Sequence, residues 1–96
     1  GFIYVGDHTN KRILIWKEPN SDPCVISDIA ISGHSDIFVG MNGDIYFEHD
    51  SQAGRIEKYS IQQKKCSTVA QFDGHCRGLF IDLNNTLYCS QKHHPR

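Results

Sequence analysis

The feature that most constrains the fold is a repeat. Sliding the sequence by 42 residues lays Phe38 on Phe80, Val39 on Ile81, Asn42 on Asn84, Ile45 on Leu87 and Cys24 on Cys66, and Tyr4, Tyr46 and Tyr88 recur at the same interval. One residue of slack brings Arg12 onto Arg55, Ile13 onto Ile56, Trp16 onto Tyr59 and Gly33-His34 onto Gly74-His75. Self-similarity at such a period marks architectures in which each unit buries its apolar face against its neighbours.

Inside a unit the apolar runs are short, rich in β-branched and aromatic residues and bounded by turn residues, which reads as strands. "IFVGMNGDIYFE" (37–48) is two runs around Asn42-Gly43, and this dipeptide predicts a two-residue type I′ hairpin. "LFIDLNNTLYCS" (79–90) repeats the pattern around Asn84-Asn85. A third run ("RILIW", "RIEKY") and a fourth ("CVISDIAI", "CSTVAQF") follow. Four antiparallel strands per unit of this length make a β-propeller blade. The expected fold is therefore all-β, a partial β-propeller with one complete four-stranded blade flanked by two incomplete ones. Residues 1–31 read as a blade lacking its first strand, 32–72 as the complete blade and 73–96 as the first two strands of the next. On this reading the chain is one segment of a longer propeller, and the remaining blades of the parent chain are its first partners.

Ten basic against eleven acidic residues give a formal charge of −1. Without a run of like charge there is no electrostatic footprint for nucleic acid or an anionic membrane. No apolar stretch approaches the roughly 20 residues that span a bilayer. Four cysteines (Cys24, Cys66, Cys76, Cys89) allow three connectivities. Asn84-Asn85-Thr86 makes Asn84 a glycosylation acceptor by sequence. Both features fit a secreted protein in an oxidising compartment.

The motif "IYVGDHTNKRILIW" (3–16) resembles the NHL-repeat family of β-propellers, with Tyr4, Asp7, Asn10, Arg12 and Ile13 on the pattern positions. The second copy keeps Tyr46, Arg55 and Ile56, but His49 stands at the aspartate and the asparagine is lost. The third keeps Tyr88 and Arg96, with His94 at the asparagine. Gluconolactonase-like propellers are the close competitor. The resemblance implies a noncatalytic scaffold that binds a protein or other macromolecule. Its rivals are a metal-assisted lactonase or lyase and an RNA-binding propeller.

Several residues are candidates for chemistry. Arg12, Arg55 and Arg96 recur with Asp7 and Asp50 upstream, and structural ion pairs are the simpler reading than a ligand-binding basic rim. His34 and His75 precede the first strand of successive blades, which lines a propeller's channel, so together they could hold zinc, iron or calcium. The match to the lyase propellers is poor there, because Arg77 and Ser35 occupy the ligand position. The scaffold reading expects no cofactor. His8, His49 and His93-His94 read as solvated turn residues. Tyr4, Tyr46, Tyr88, Trp16 and Tyr59 read as aromatics packing one blade on the next. Cys76 and Cys89 are the feasible disulfide, although a two-residue turn puts Phe80 opposite Cys89 and then requires a bulge. Cys24 and Cys66 fall on different blades.

Overall fold

A computed structural model of the chain describes residues 2–18, 20–33 and 37–91. The described residues form nine strands in three antiparallel sheets. Sheet one is β1 (Ile3–Asp7), β2 (Arg12–Trp16) and β3 (Cys24–Ile26). Sheet two is β4 (Phe38–Val39), β5 (Ile45–Glu48), β6 (Arg55–Ser60) and β7 (Lys65–Gln71). Sheet three is β8 (Gly78–Ile81) and β9 (Leu87–Ser90). Each sheet is a meander in which chain neighbours pair.

The sheets pack on one another through the alternation of their strands. Ile45 and Phe47 of β5 point toward sheet one and join Ile13, Ile15, Ile29 and Ile31 in a buried cluster, with Tyr4, Ile26, Ile37, Val39 and Tyr59 around it. Burying one such side chain stabilises by roughly 1.5 to 3 kcal/mol, so this cluster is the main apolar tie between sheets one and two. Tyr46, on the opposite face of β5, lines a groove with Phe38, Ile81 and Leu83 on the side of sheet three. The rings of Phe38 and Phe80 meet edge to face at 5.7 Å across that junction.

Both hairpins depart from the two-residue turn expected of Asn-Gly and Asn-Asn. In sheet two Phe38 pairs with Tyr46 and Val39 with Ile45, leaving a three-residue loop, 41–43. Gly43 alone takes positive φ (90°), and Asn42 accepts from the Asp44 N–H at 3.1 Å. In sheet three Phe80 pairs with Tyr88 and Leu79 with Cys89, and Asn85 takes positive φ (63°) in loop 83–85. A type I turn closed by one left-handed residue is the usual three-residue solution, and it needs positive φ once where type I′ needs it twice. The disulfide links Cys76 to Cys89 with Cα atoms 5.3 Å apart. Cys76 reaches Cys89 from the connector before β8, so no bulge is needed in that hairpin.

The β8–β9 turn is organised by Asp82. Its Oδ1 accepts from the backbone N–H groups of Asn84 and Thr86, both at 2.9 Å, and its Oδ2 from the Tyr88 hydroxyl at 3.0 Å. The Thr86 N–H contributes most to holding the Asp82 carboxyl below its ordinary value, and the Tyr88 hydroxyl's own hydrogen bond to Asp82 raises the Tyr88 phenol. A carboxyl lowered on folding stabilises above the usual carboxylate range, and that contribution is lost as pH falls through the folded value. The Asp82 carbon signal should therefore titrate below that of an unfolded aspartate, about 3.9. A midpoint at or above that value would contradict the turn.

Candidate functional site

Two sets of loops mark the ends of the molecule. At one end lie the β1–β2 and β5–β6 loops and the connectors from β3 to β4 and from β7 to β8. The connectors bond back onto the neighbouring hairpin: Asp50 N–H donates to Ala30 O and Ser32 N–H to Glu48 O, both at 2.8 Å, while Ile31 bridges to His49. One step along the chain, Phe72 N–H donates to Gly54 O at 2.8 Å and Arg77 N–H to Ser90 O at 2.7 Å. Gln91 Nε2 donates to Asp73 O and Gly74 O.

Glu48 is the hub of this end. Although it is fully buried, its Oε2 accepts from the Gly54 N–H at 2.6 Å and the Cys76 N–H at 3.4 Å, and His75 Nδ1 lies 3.0 Å away. Its Oε1 has no hydrogen-bond partner among the described residues. Glu48 occupies the repeat position of Gly6, whose Cβ, if present, would stand 2.8 Å from Ile31 Cδ1 and 3.3 Å from Ile37 Cγ2. Both residues face the following connector. In sheet one a missing side chain lets apolar residues close in, whereas in sheet two a carboxylate receives the connector's N–H groups. A cleft of about 580 Å³ lies beside Gly6, lined by Tyr4, Val5, His8, Ile31, Ser32, Gly33 and Ile37.

The recurring arginines do not share one arrangement. Arg12 Nε donates to Asp7 at 2.8 Å through a single prong, and Asp7 sits below its ordinary pKa because Asn10 and then Arg12 bond to it. Arg55 does not pair with Asp50. Its Nε lies 3.2 Å from buried Glu57 and 3.1 Å from the Thr68 hydroxyl, and that hydroxyl itself donates to Glu57. Asp50 instead faces Lys11 at 3.8 Å. The reason is strand alternation, which places Arg55 and Glu57 on the same face of β6.

Of the two histidines expected to line a channel, His75 lies against Glu48, and His34 lies outside the described residues, as do Arg96, His93 and His94. Among the described residues no three His, Cys, Asp or Glu side chains cluster as metal ligands. His49 accepts from the Ser51 N–H at 3.1 Å, and the His8 ring packs against Gly33. Tyr46 is half-buried in its groove, and Tyr88 is 50% exposed. Cys24 and Cys66 are free and exposed on the last strands of their sheets. Partial burial of the sulfur and then the Glu57 charge raise the Cys66 thiol. Asn84 is exposed in the β8–β9 turn.

Sequence reasoning missed Glu48 and Gly54. The signal for Glu48 was a charged residue at a glycine's repeat position. For Gly54 it was a glycine aligned with Lys11, and both adopt positive φ (78° and 53°).

Compared with known proteins, the chain matches no family model, no curated protein and no solved structure.

Proposed function

We propose that the three sheets are consecutive blades of an NHL-like β-propeller, and that this ring is a noncatalytic scaffold binding a protein or other macromolecule at the connector end. The observation that carries the reading is the recurrence of one antiparallel hairpin pattern in three successive sheets, with Tyr4 packed on the side of sheet two and Tyr46 on the side of sheet three. Two features support the choice of end. The connectors there are tied down by backbone hydrogen bonds, and a rigid scaffold that presents loops is how binding surfaces are commonly built. The cleft beside His8 and Gly33 lies at that end as well.

In such a ring, further blades cover the outward faces of sheets one and three. Phe2, Ile3 and Val5 of sheet one are 41 to 56% exposed and Tyr88 of sheet three is 50% exposed, apolar surface that a stacked neighbour removes from water. Expressed by themselves, these 96 residues should therefore self-associate, with the slowest amide exchange in sheet two. A sharply melting monomer in sedimentation experiments would contradict this.

The function is tested by placing a photo-crosslinking side chain at Lys11, on the connector end, or at Lys64, in the β6–β7 turn at the other end. Macromolecular adducts are expected from Lys11 and not from Lys64. Adducts from Lys64 alone would refute the assigned face. About one zinc, iron or calcium per purified chain, lost on His75→Ala, would replace the scaffold reading with the metal-enzyme one.

A further inference from the structure

We propose that Asn84 carries an N-linked glycan, on the β8–β9 turn at the end of the molecule opposite the connectors. The tripeptide Asn84-Asn85-Thr86 is the acceptor sequence, but such tripeptides recur by chance, so the argument rests on how the turn holds it. Leu83 and Asn84 form the tip of the three-residue loop, Leu83 is 83% exposed, and Asn84 and Thr86 are exposed as well. The turn is held by other groups: the Asn84 and Thr86 backbone N–H groups donate to Asp82, and Asn85 N–H donates to Asp82 O at 3.0 Å. The Asn84 carboxamide and the Thr86 hydroxyl therefore take part in no hydrogen bond among the described residues.

The repeat supplies an internal comparison. Asn42, the counterpart of Asn84, uses both ends of its carboxamide, with Nδ2 donating to Asp44 Oδ2 at 3.0 Å and Oδ1 accepting from Asp44 N–H. In sheet two the asparagine builds its turn, whereas in sheet three Asp82 has taken over that work and the asparagine is left for solvent. The same hairpin is tied by the Cys76–Cys89 disulfide, and disulfides persist in the oxidising compartments where such glycans are attached.

The transfer balances without an oxidant or reductant. Nδ2 of Asn84 attacks the anomeric carbon of an oligosaccharide carried on a lipid diphosphate. A carbon–nitrogen bond forms, the anomeric carbon–oxygen bond breaks, the lipid diphosphate leaves with the electron pair, and the amide gives up one proton. This inference does not depend on the propeller reading, since it needs only the turn.

The full chain is to be directed into the secretory pathway of a eukaryotic cell and its site occupancy measured on secreted and retained chains together, so that a folding defect does not hide the result. Digestion with peptide N-glycosidase in heavy-oxygen water, followed by peptide mass spectrometry, should convert most Asn84 to labelled aspartate. Asn84→Gln and Thr86→Ala should abolish the label, and Thr86→Ser should retain it. An unmodified Asn84 in most chains, or a label that persists in Thr86→Ala, would overturn the proposal.

Discussion

Replacing Gly54 by alanine is expected to cost the full-length protein about 4 kcal/mol or more, enough to remove a large part of a typical domain's stability. Gly54 sits at φ 78°, and an added Cβ would lie 2.2 Å from the carbonyl oxygen of Phe72 and 2.6 Å from that of Gly74. Both obstacles are backbone, so no side chain can swing aside. A residue with a Cβ costs roughly 1 to 2 kcal/mol in the left-handed region even without a clash. Relieving the clash means moving the β7–β8 connector, which breaks Phe72 N–H to Gly54 O and disturbs Gly54 N–H to Glu48. Each such bond contributes about 0.5 to 1.5 kcal/mol net, and more where a buried donor is left unpaired. Lys11 supplies the control, because it holds the same repeat position at φ 53° with its side chain in solvent. Lys11→Gly should change stability by no more than about 1 kcal/mol, since relief of the left-handed strain offsets the added chain entropy. Denaturant unfolding reads both, and a loss under about 1 kcal/mol for Gly54→Ala would mean that the connector does not pass where it is placed.

Glu48→Ala should cost about 3 to 5 kcal/mol by the same measurement. The substitution strands the Gly54 and Cys76 N–H groups, each an unsatisfied buried donor worth about 1 to 3 kcal/mol, and opens a void beneath His75. Glu48→Gln keeps one oxygen for those donors and should retain much of that stability. Exchange at the Gly54 and Cys76 amides should accelerate in the alanine variant while the β6–β7 ladder stays protected. A uniform rise in exchange across sheet two would assign Glu48 to general stability rather than to the connector. The carboxylate of Glu48 therefore does for the second connector what backbone contacts and isoleucine packing do for the first.

Much of the architecture was legible because it rests on alternation and repetition. The runs around Tyr4, Tyr46 and Tyr88 form strands, and Ile13, Ile45 and Ile56 are fully buried, as their periodicity requires. Hairpin register was misread by one residue, because Asn42-Gly43 favours a type I′ turn locally, while the fold pairs Phe38 with Tyr46 and spends a third residue to do so. That shift sets which aromatics share a face, and it brings Phe38 and Tyr46 together toward sheet three. The Arg55–Asp50 pair failed for a related reason: sequence proximity suggested it, but alternation along β6 offers Arg55 a nearer carboxylate in Glu57. Glu48 could not be found by motif. Its partners are two backbone amides and a histidine up to 28 residues away, and only the packed connector brings them to it.

Whether these sheets are blades around a common axis is decided by an electron cryomicroscopy or crystal structure of the full-length protein. A closed ring is expected, in which β4 and β8 lie side by side along the channel, joined through Phe38 and Phe80, with β3 and β7 on the outer rim and the connectors of 27–33 and 72–77 on one face. An open stack of sheets, or a fold in which β7 rather than β4 lies nearest the axis, would contradict it.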